Sequence, residues 1–549
     1  MLAARLRSLS PTRMAFLLAA LTFFFRMPSA FLRHELNPDE SLMLIQGVKF
    51  LIDPVPWRSV DGFSSGPLNS WGISALLALG IKPGYVFLHL LASSLVAALV
   101  GLTWLTLARL APRSHAAIGV TPMILFMGFA SDDNFLHYSS ELIPVLLFAL
   151  AIHFLVEEEL GTSRYPSLAV FASGLAIGCS VWAKSQAFPI AGALTLLITA
   201  SLIRKRENWI RHCAALTAGI LLPAAAILIV VGTAGVTDDF WNSYLRGNLA
   251  YAGTGGLAAT VGHVLPALTQ REIFAFSVLL IFALALCASR LSLSRNQVWL
   301  AGLFAAYFSA CLFAVCRPVA TFPHYMTLLV HPMTLLGVLL TSGSIVNPVR
   351  VVTASRIAEQ QLVSRARFPI LGIVALILFV PQITRYIRYT GNVFDRHMPP
   401  ATDANYKIAS AISDLLRTER SRKVSIWGWM PGAYVLSRSV PATRDAICGM
   451  VITRGPMQSY YRQRFLHDLR QNMPDLFVDS VVKGAFLWHP NFDRPSPNDW
   501  TEQDGYESDP ALKTLIDANY VLVRELPLAP GGHPVRFFAR LAHRAYQSL

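Results

Sequence analysis

The sequence predicts a polytopic α-helical membrane protein with a folded α/β domain at its C-terminal end. Three observations predict it. Hydrophobic residues make up 54% of the 549 and charged residues only 14%, far below the roughly 25% charge of a soluble domain. The apolar residues gather in eleven long runs, near 14–32, 85–108, 116–131, 142–156, 167–183, 187–203, 213–235, 273–289, 297–316, 324–342 and 368–386. From about residue 387 the composition becomes that of a soluble protein. A soluble enzyme built on one core is thereby excluded. The expected division is 1–386 for the membrane part, including a long first outer loop at 33–84, and 387–549 for an α/β domain outside the cytoplasm.

Basic residues set the expected orientation. Arg5, Arg7 and Arg13 precede or open the first run, and Arg26 interrupts it without a clean small-residue cleavage site. The segment therefore reads as an uncleaved membrane helix. With the N-terminus in the cytoplasm, the cytoplasmic loops carry Arg109 and Arg113; Arg204, Lys205, Arg206 and Arg211; Arg290 and Arg295; and Arg350, Arg356, Arg365 and Arg367. That matches the excess of Lys and Arg on cytoplasmic sides. Glu157-Glu158-Glu159 dissents, although acidic residues weigh little in that rule. Eleven crossings place the C-terminal domain on the outer side. The net charge of +14 follows from these loops and suits membrane lipids with anionic headgroups. There is no basic stripe with interleaved aromatics and no zinc-finger spacing, so nucleic acid is not an expected partner.

Three outer segments follow from this topology, near 33–84, 131–141 and 236–272. The first opens with Asn37-Pro38-Asp39-Glu40. Leu42, Met43, Ile45, Val48 and Ile52 then recur at helical spacing, which reads as an interfacial helix lying on the membrane. Asn37 suits the N-cap, Pro38 the first helical position, and Glu40 a capping box. Asp39 is not needed for the box and sits at the positive end of the helix dipole. An ionised carboxylate there could accept a proton from a hydroxyl. A stretch near 68–81 is too short to cross.

The second outer segment holds Asp132, Asp133, His137 and Glu141. In a continuous helix, Asp133, His137 and Glu141 would share one face and could position a substrate or bind a metal. The plainer reading is a hydrated helix end with Ser139 or Ser140 capping the next helix. Lys184, in Trp182-Ala-Lys184-Ser-Gln186, falls at the outer end of a membrane helix. Such a charge must snorkel or pair, or meet an oxyanion. Arg317, His324 and Tyr325 stand in another outer turn and serve either as interfacial anchors or as phosphate contacts. Tyr244, Arg246 and Tyr251 of the third outer segment are weaker candidates.

In the C-terminal region the runs Lys423–Trp427, Leu476–Val478 and Tyr520–Val523 read as strands and Tyr406–Leu416 as a helix. The Pro/Gly-rich stretch 527–534 reads as a loop. Of six cysteines, Cys179, Cys213, Cys287, Cys311 and Cys316 lie in apolar runs and Cys448 stands alone. With no CxxC, neither a disulfide framework nor a structural zinc site is expected. There is no P-loop, GxGxxG, HExxH or GxSxG in a strand–helix setting.

Asp39-Glu40 at the start of the first outer segment, Ser65-Gly66-Pro67-Leu68-Asn69 downstream, the acidic second outer segment, Phe322-Pro323-His324-Tyr325 and the C-terminal outer domain together resemble the GT-C superfamily of membrane glycosyltransferases. The resemblance is strongest to bacterial relatives of protein mannosyltransferases and of the lipid A aminoarabinose transferase. Where the latter carries Lys before its Pro-Leu, this chain has Ser64-Ser65-Gly66. The resemblance implies transfer of a sugar from a polyprenyl-phosphate donor to a glycolipid, polysaccharide or protein hydroxyl, with inversion, at the outer face of a bacterial inner membrane. It implies Asp39 as general base, Lys184 with Arg317 or His324 stabilising the charge on the leaving phosphate, and Asp132 and Asp133 orienting the acceptor or the sugar; Glu40 is expected beside Asp39 in catalysis, and His137, Glu141 and Tyr325 among the substrate-binding residues. It implies no obligatory cofactor or metal, although the carboxylates could bind a divalent cation adventitiously. A lipid or solute transporter is the alternative from another class; the absence of a clear internal repeat and the outer position of the carboxylates weigh against it.

Overall fold

The computed structural model describes residues 9–252, 257–288, 295–318, 322–342, 354–393, 395, 403–417, 422–483, 485 and 501–541. Of the residues used for orientation, Arg5, Arg7, Arg290 and Arg350 lie outside the described residues, as do the side chains of Arg356, Arg365, Arg367 and Cys287. Each apolar run of the sequence falls on a helix, from Pro11–Arg26 and Tyr85–Leu110 through Arg113–Gly128, Leu142–Glu159, Pro166–Ala183, Phe188–Lys205 and Trp209–Thr233 to Phe274–Ala288, Arg295–Cys316, Thr327–Ser342 and Ala354–Asn392. Among the described residues seven spans are long and apolar enough to cross a membrane, or eight if the pair Leu257–Thr269 and Phe274–Ala285, bent by 97°, is one span. Eleven crossings are not reached by that measure. The Arg113–Gly128 helix has only 16 residues, and the Leu142–Glu159 helix ends in three glutamates.

The chain divides into two units. One comprises Met1–Phe31, His89–Leu228 and Ala252–Phe394; the other comprises Leu32–Leu88, Ile229–Tyr251 and Asp395–Leu549. Residues 33–84 thus group with the C-terminal residues, a grouping that the expected boundary at 386 did not include.

In the first unit, apolar side chains stay exposed along the long helices: Phe16, Leu196 and Ile281 are 74%, 72% and 65% exposed. Helices with an outward apolar surface are what lipid requires. With no hydrophobic drive between helices in lipid, close backbone packing has to hold them together. Gly174 and Gly178, four apart, supply it. A Cβ on Gly178 would lie 2.5 Å from the Ile220 carbonyl oxygen, and one on Gly174 would overlap the Leu216 carbonyl. Gly219 faces the Phe171 carbonyl in the same way, so the Pro166–Ala183 and Trp209–Thr233 helices touch backbone to backbone. The helix Ala354–Asn392 is tied to its neighbours by Gln382 donating to the Phe126 carbonyl at 2.7 Å and Tyr386 to the Phe25 carbonyl at 2.7 Å.

The dissenting glutamates now have an explanation. Glu157 pairs with Arg109, Glu158 with Lys205 at 3.4 Å, and Glu159 with Arg204 at 2.5 Å. Three helix ends therefore meet on one side of the unit, and their opposite charges offset one another. The acidic triplet sits among the basic loops because it neutralises them.

In the second unit a five-stranded sheet has the order β2-β1-β3-β5-β4, where β1 is Lys423–Trp427, β2 Val440–Pro441, β3 Leu476–Asp479, β4 Tyr520–Leu526 and β5 Val535–Arg540. β1 runs parallel to β2 and β3, while β5 is antiparallel to β3 and β4. The Pro/Gly-rich stretch is the turn between β4 and β5. Side-chain alternation builds a core on each face. Val424, Ile426, Leu476, Val478, Val535 and Phe537 meet the helices Ala404–Leu415 and Pro431–Ser437. Phe477, Phe538 and Tyr520 meet the helices Gln458–Asn472 and Pro510–Asn519.

The helix Pro38–Phe50 joins the first of these cores. Leu42 and Ile45 are buried in it, with Val48 packed alongside, each worth about 1.5–3 kcal/mol when fully buried. Residues Glu40–Gly47 are all buried. The expectation of a helix lying on the membrane is corrected: protein covers its apolar face. Periodicity announces a buried face but not its partner. The 12-residue helix Pro67–Ala78 packs against it, with Ile73 filling the space beside Gly47.

Candidate active site

Two groups of candidate residues form, one in each unit. In the second unit the chain turns at Asn37, whose extended backbone and side-chain oxygen start the helix; that oxygen accepts the Asp39 N–H at 3.0 Å. Pro38 occupies the first turn, where no N–H is needed. Asp39 is half-buried in this first turn, with its charge at the favourable end of the helix dipole. Glu40 is completely buried, and its Oε1 accepts the Leu36 N–H at 2.7 Å. Glu40 therefore shapes the turn that presents Asp39.

Glu35, which the sequence reading passed over, lies beside this turn. Its Oε1 accepts from the Asn405 side chain at 3.0 Å. A Cβ on Gly432 would sit 2.6 Å from its Oε2, so a larger residue there would displace the Glu35 carboxylate. Desolvation pushes the Glu35 carboxyl up to about 8, opposed by hydrogen bonding to Ser41 and Asn405 and reinforced by Glu40 and Asp403. Ser41 in turn bonds the Tyr85 hydroxyl at 2.9 Å. No periodic or motif signal singles out Glu35; its importance comes from residues some 370 positions away.

In the first unit, Lys184 caps the Pro166–Ala183 helix in extended conformation. It does not snorkel: it is 5% exposed. Its ammonium pairs with Glu141 Oε1 at 3.0 Å, donates to Ser140 Oγ at 2.7 Å and lies 5.4 Å from the Tyr325 ring centroid. The His324 ring stands perpendicular to Tyr325 at 4.9 Å and to His137 at 5.3 Å. Five residues singled out from three separate stretches thus converge: His137, Glu141, Lys184, His324 and Tyr325. Ser140 was expected as a helix cap; its side chain instead bonds the ammonium.

The shared helical face of Asp133, His137 and Glu141 does not form. The helix there spans only Asp133–Leu136 and ends at His137, whose backbone is extended. Asp132 is its N-cap, accepting from the Asn134 N–H at 2.9 Å and side chain at 3.0 Å. The His137 ring nitrogen Nδ1 lies 2.8 Å from the Asp133 carbonyl oxygen. Arg26 fixes this loop. It is 1% exposed and donates to the carbonyls of Met127 and Phe135 at 2.8 Å each and of Leu136 at 3.2 Å. Its interruption of an apolar run was the available signal. Arg317 follows the Arg295–Cys316 helix, its N–H donating to the Phe313 carbonyl at 2.9 Å; Val319, Ala320 and Thr321 of that turn lie outside the described residues. Of the weaker candidates, Tyr244 is buried, Tyr251 packs on Phe63 at 5.3 Å, and Arg246 bonds Asn242 at 3.0 Å. Among the described residues no group of three or more His, Cys, Asp or Glu is arranged to hold a metal ion.

The arrangement offers a half-buried carboxylate on a helix start and, in the other unit, a buried cation with two imidazoles. No family model and no curated protein matches the sequence. The fold does have likenesses. The crystal structure of ArnT from Cupriavidus metallidurans bound to undecaprenyl phosphate is similar at a TM-score of 0.59 and 12% identity, covering 96% of this chain and 98% of that one. ArnT from the same organism in the apo state is similar at 0.57 and 13%, with the same coverage. At such identity the shared property is the fold, and over nearly its whole length this chain has a fold similar to that of ArnT.

Proposed function

We propose that the protein is an inverting glycosyltransferase that moves a sugar from a polyprenyl-phosphate donor to an acceptor hydroxyl at the outer face of a bacterial inner membrane. One observation carries this reading: the likeness to ArnT bound to undecaprenyl phosphate spans nearly the whole of both chains. It does not favour a transporter. In the reaction Asp39 removes the acceptor proton as that oxygen bonds the anomeric carbon. The bond from that carbon to the phosphate oxygen breaks, and polyprenyl phosphate leaves with the electron pair. General base catalysis of this kind contributes about 10²–10⁴-fold. Lys184, with Arg317 or His324, stabilises the charge growing on the phosphate. Asp132 and Asp133 orient acceptor or sugar. Glu40 holds the turn. The step balances without a cofactor, and the acceptor is a glycolipid, polysaccharide or protein.

The test uses purified protein in lipid with polyprenyl-phosphate sugars and candidate acceptors, comparing wild type with Asp39→Asn by product mass. A sugar-sized gain with wild type and a loss of about 10²-fold or more in the variant is the expected result. Equal product from both removes Asp39 as base and moves the role to Asp132 or Asp133. No product from any pair overturns the donor or acceptor assignment.

A further inference from the structure

A second set of buried charges lies in the unit that carries Asp39, and the proposed reaction does not use it. Arg464, on the helix Gln458–Asn472, is 6% exposed. Its guanidinium reaches Asp61 at 2.6 Å and Asp445 at 2.6 Å. Tyr460 and Tyr461 lie 5.2 and 4.7 Å from it. Asp61 also accepts from the Ser243 hydroxyl and from the Phe63 N–H at 2.8 Å. Next to it Arg444 holds Asp468 at 2.8 Å and Asp239 at 2.7 Å, and donates to the Trp57 carbonyl at 2.8 Å. Three stretches far apart in sequence, 57–63, 239–243 and 444–468, are thus pinned together by charge.

Buried ion pairs of this kind are a weak source of stability, because desolvating the charges offsets most of their attraction. Their distinctive property is geometry: a guanidinium fork accepts only particular carboxylate placements. The backbone agrees. Trp57 and Phe63, on either side of Asp61, hold φ of 61° and 52°, a left-handed conformation that bulky residues rarely adopt and that persists only where surroundings impose it. From this turn contacts lead to the Asp39 helix. Gln46 donates to the Asp61 carbonyl at 3.4 Å and accepts from Ser70 at 2.8 Å. Lys49 donates to the Thr443 carbonyl. The Asp61 N–H bonds the Arg444 carbonyl at 3.0 Å.

We propose that Asp61 and Arg464 are positioning residues for the sugar transfer: their buried bridge fixes the 57–63 turn against the C-terminal residues and, through Gln46 and Lys49, sets the helix that begins at Asp39. The inference rests on the transferase reading. It gives the C-terminal residues a part in the reaction beside any recognition of acceptor.

The variants are Arg464→Lys, which keeps the charge but loses the fork, and Asp61→Asn. In each, kcat for transfer should fall about 10–100-fold, the loss that a displacement near 1 Å produces, while KM for the polyprenyl-phosphate donor stays within about twofold. Hydrogen exchange should quicken in peptides covering 38–50 and 57–66. A folded Arg464→Lys protein with kcat within about twofold of wild type overturns the proposal. So does unchanged exchange in those peptides, and that readout holds even where wild type transfers no sugar and the transferase reading itself fails. Loss of folded protein in both variants overturns it too, since the bridge would then maintain the fold and not the geometry.

Discussion

Replacing Lys184 by Met should leave Glu141 buried with no cation. Glu141 has no exposed surface, and the pair is 3.0 Å apart. At an effective dielectric of about 20 their attraction is roughly 5 kcal/mol. Most of it offsets the desolvation of the two charges, so the intact pair adds little net stability, whereas a buried charge stripped of its partner costs about 3–5 kcal/mol. Lys184→Met should therefore be strongly destabilised. Lys184→Met/Glu141→Gln removes both charges and should return to within about 1 kcal/mol of wild type. Thermal unfolding in detergent, followed by tryptophan fluorescence at one heating rate, reads the difference. If single and double variants melt together, the pairing argument is refuted. The double variant has a second use. Its fold is restored but its ammonium is gone, so affinity for polyprenyl phosphate should fall about tenfold or more, the worth of a hydrogen bond to a charged group. Unchanged affinity would remove Lys184 from the phosphate role.

The helix contact at Gly174 and Gly178 has no slack, because the facing atoms are backbone. Gly178→Leu should destabilise by about 3 kcal/mol or more, seen as a lowered melting temperature; a variant that melts like wild type would refute the close approach. Glu35 gives a pH prediction. Its unfolded carboxyl ionises near 4.5 and its folded one near 8. Between these values the folded state keeps a proton that the unfolded state has released, so stability falls as pH rises through the window and levels off above about 8. Glu35→Gln should lose that slope and gain on wild type from pH 5 to pH 8. Parallel melting profiles would refute it.

Much of the fold was legible in the chain. Long apolar runs become helices because in lipid every backbone group must be satisfied within the segment. Asn37-Pro38 starts its helix for local reasons, a side-chain cap and a residue that needs no donor. Three strands of the C-terminal sheet were visible as apolar runs. β5, at the centre of the sheet's antiparallel part, was not, since Arg536 and Arg540 interrupt its Val-Arg-Phe-Phe-Ala-Arg sequence. Arg536 is there to meet Asp479 at 2.6 Å across the sheet, a partner 57 positions away.

The candidate site divides the same way. The sequence by itself determined which charges were out of place: Asp39 at a helix start, Lys184 at the end of an apolar run, Arg26 inside one, three glutamates among basic loops. Lys184 and Arg26 were visible because a charge in apolar surroundings needs a reason, and the glutamates because their sign opposed that of the loops around them. Only the tertiary structure decided what the reasons were. Lys184 meets Glu141; the glutamates meet Arg109, Lys205 and Arg204; Arg26 meets three carbonyls; and the Asp39 helix packs against the Pro431–Ser437 helix in a shared core. Hydrophobic periodicity and local capping act over a few residues, so sequence carries them. An ion pair acts only within a few ångströms, and which residues come that close is set by how distant segments pack.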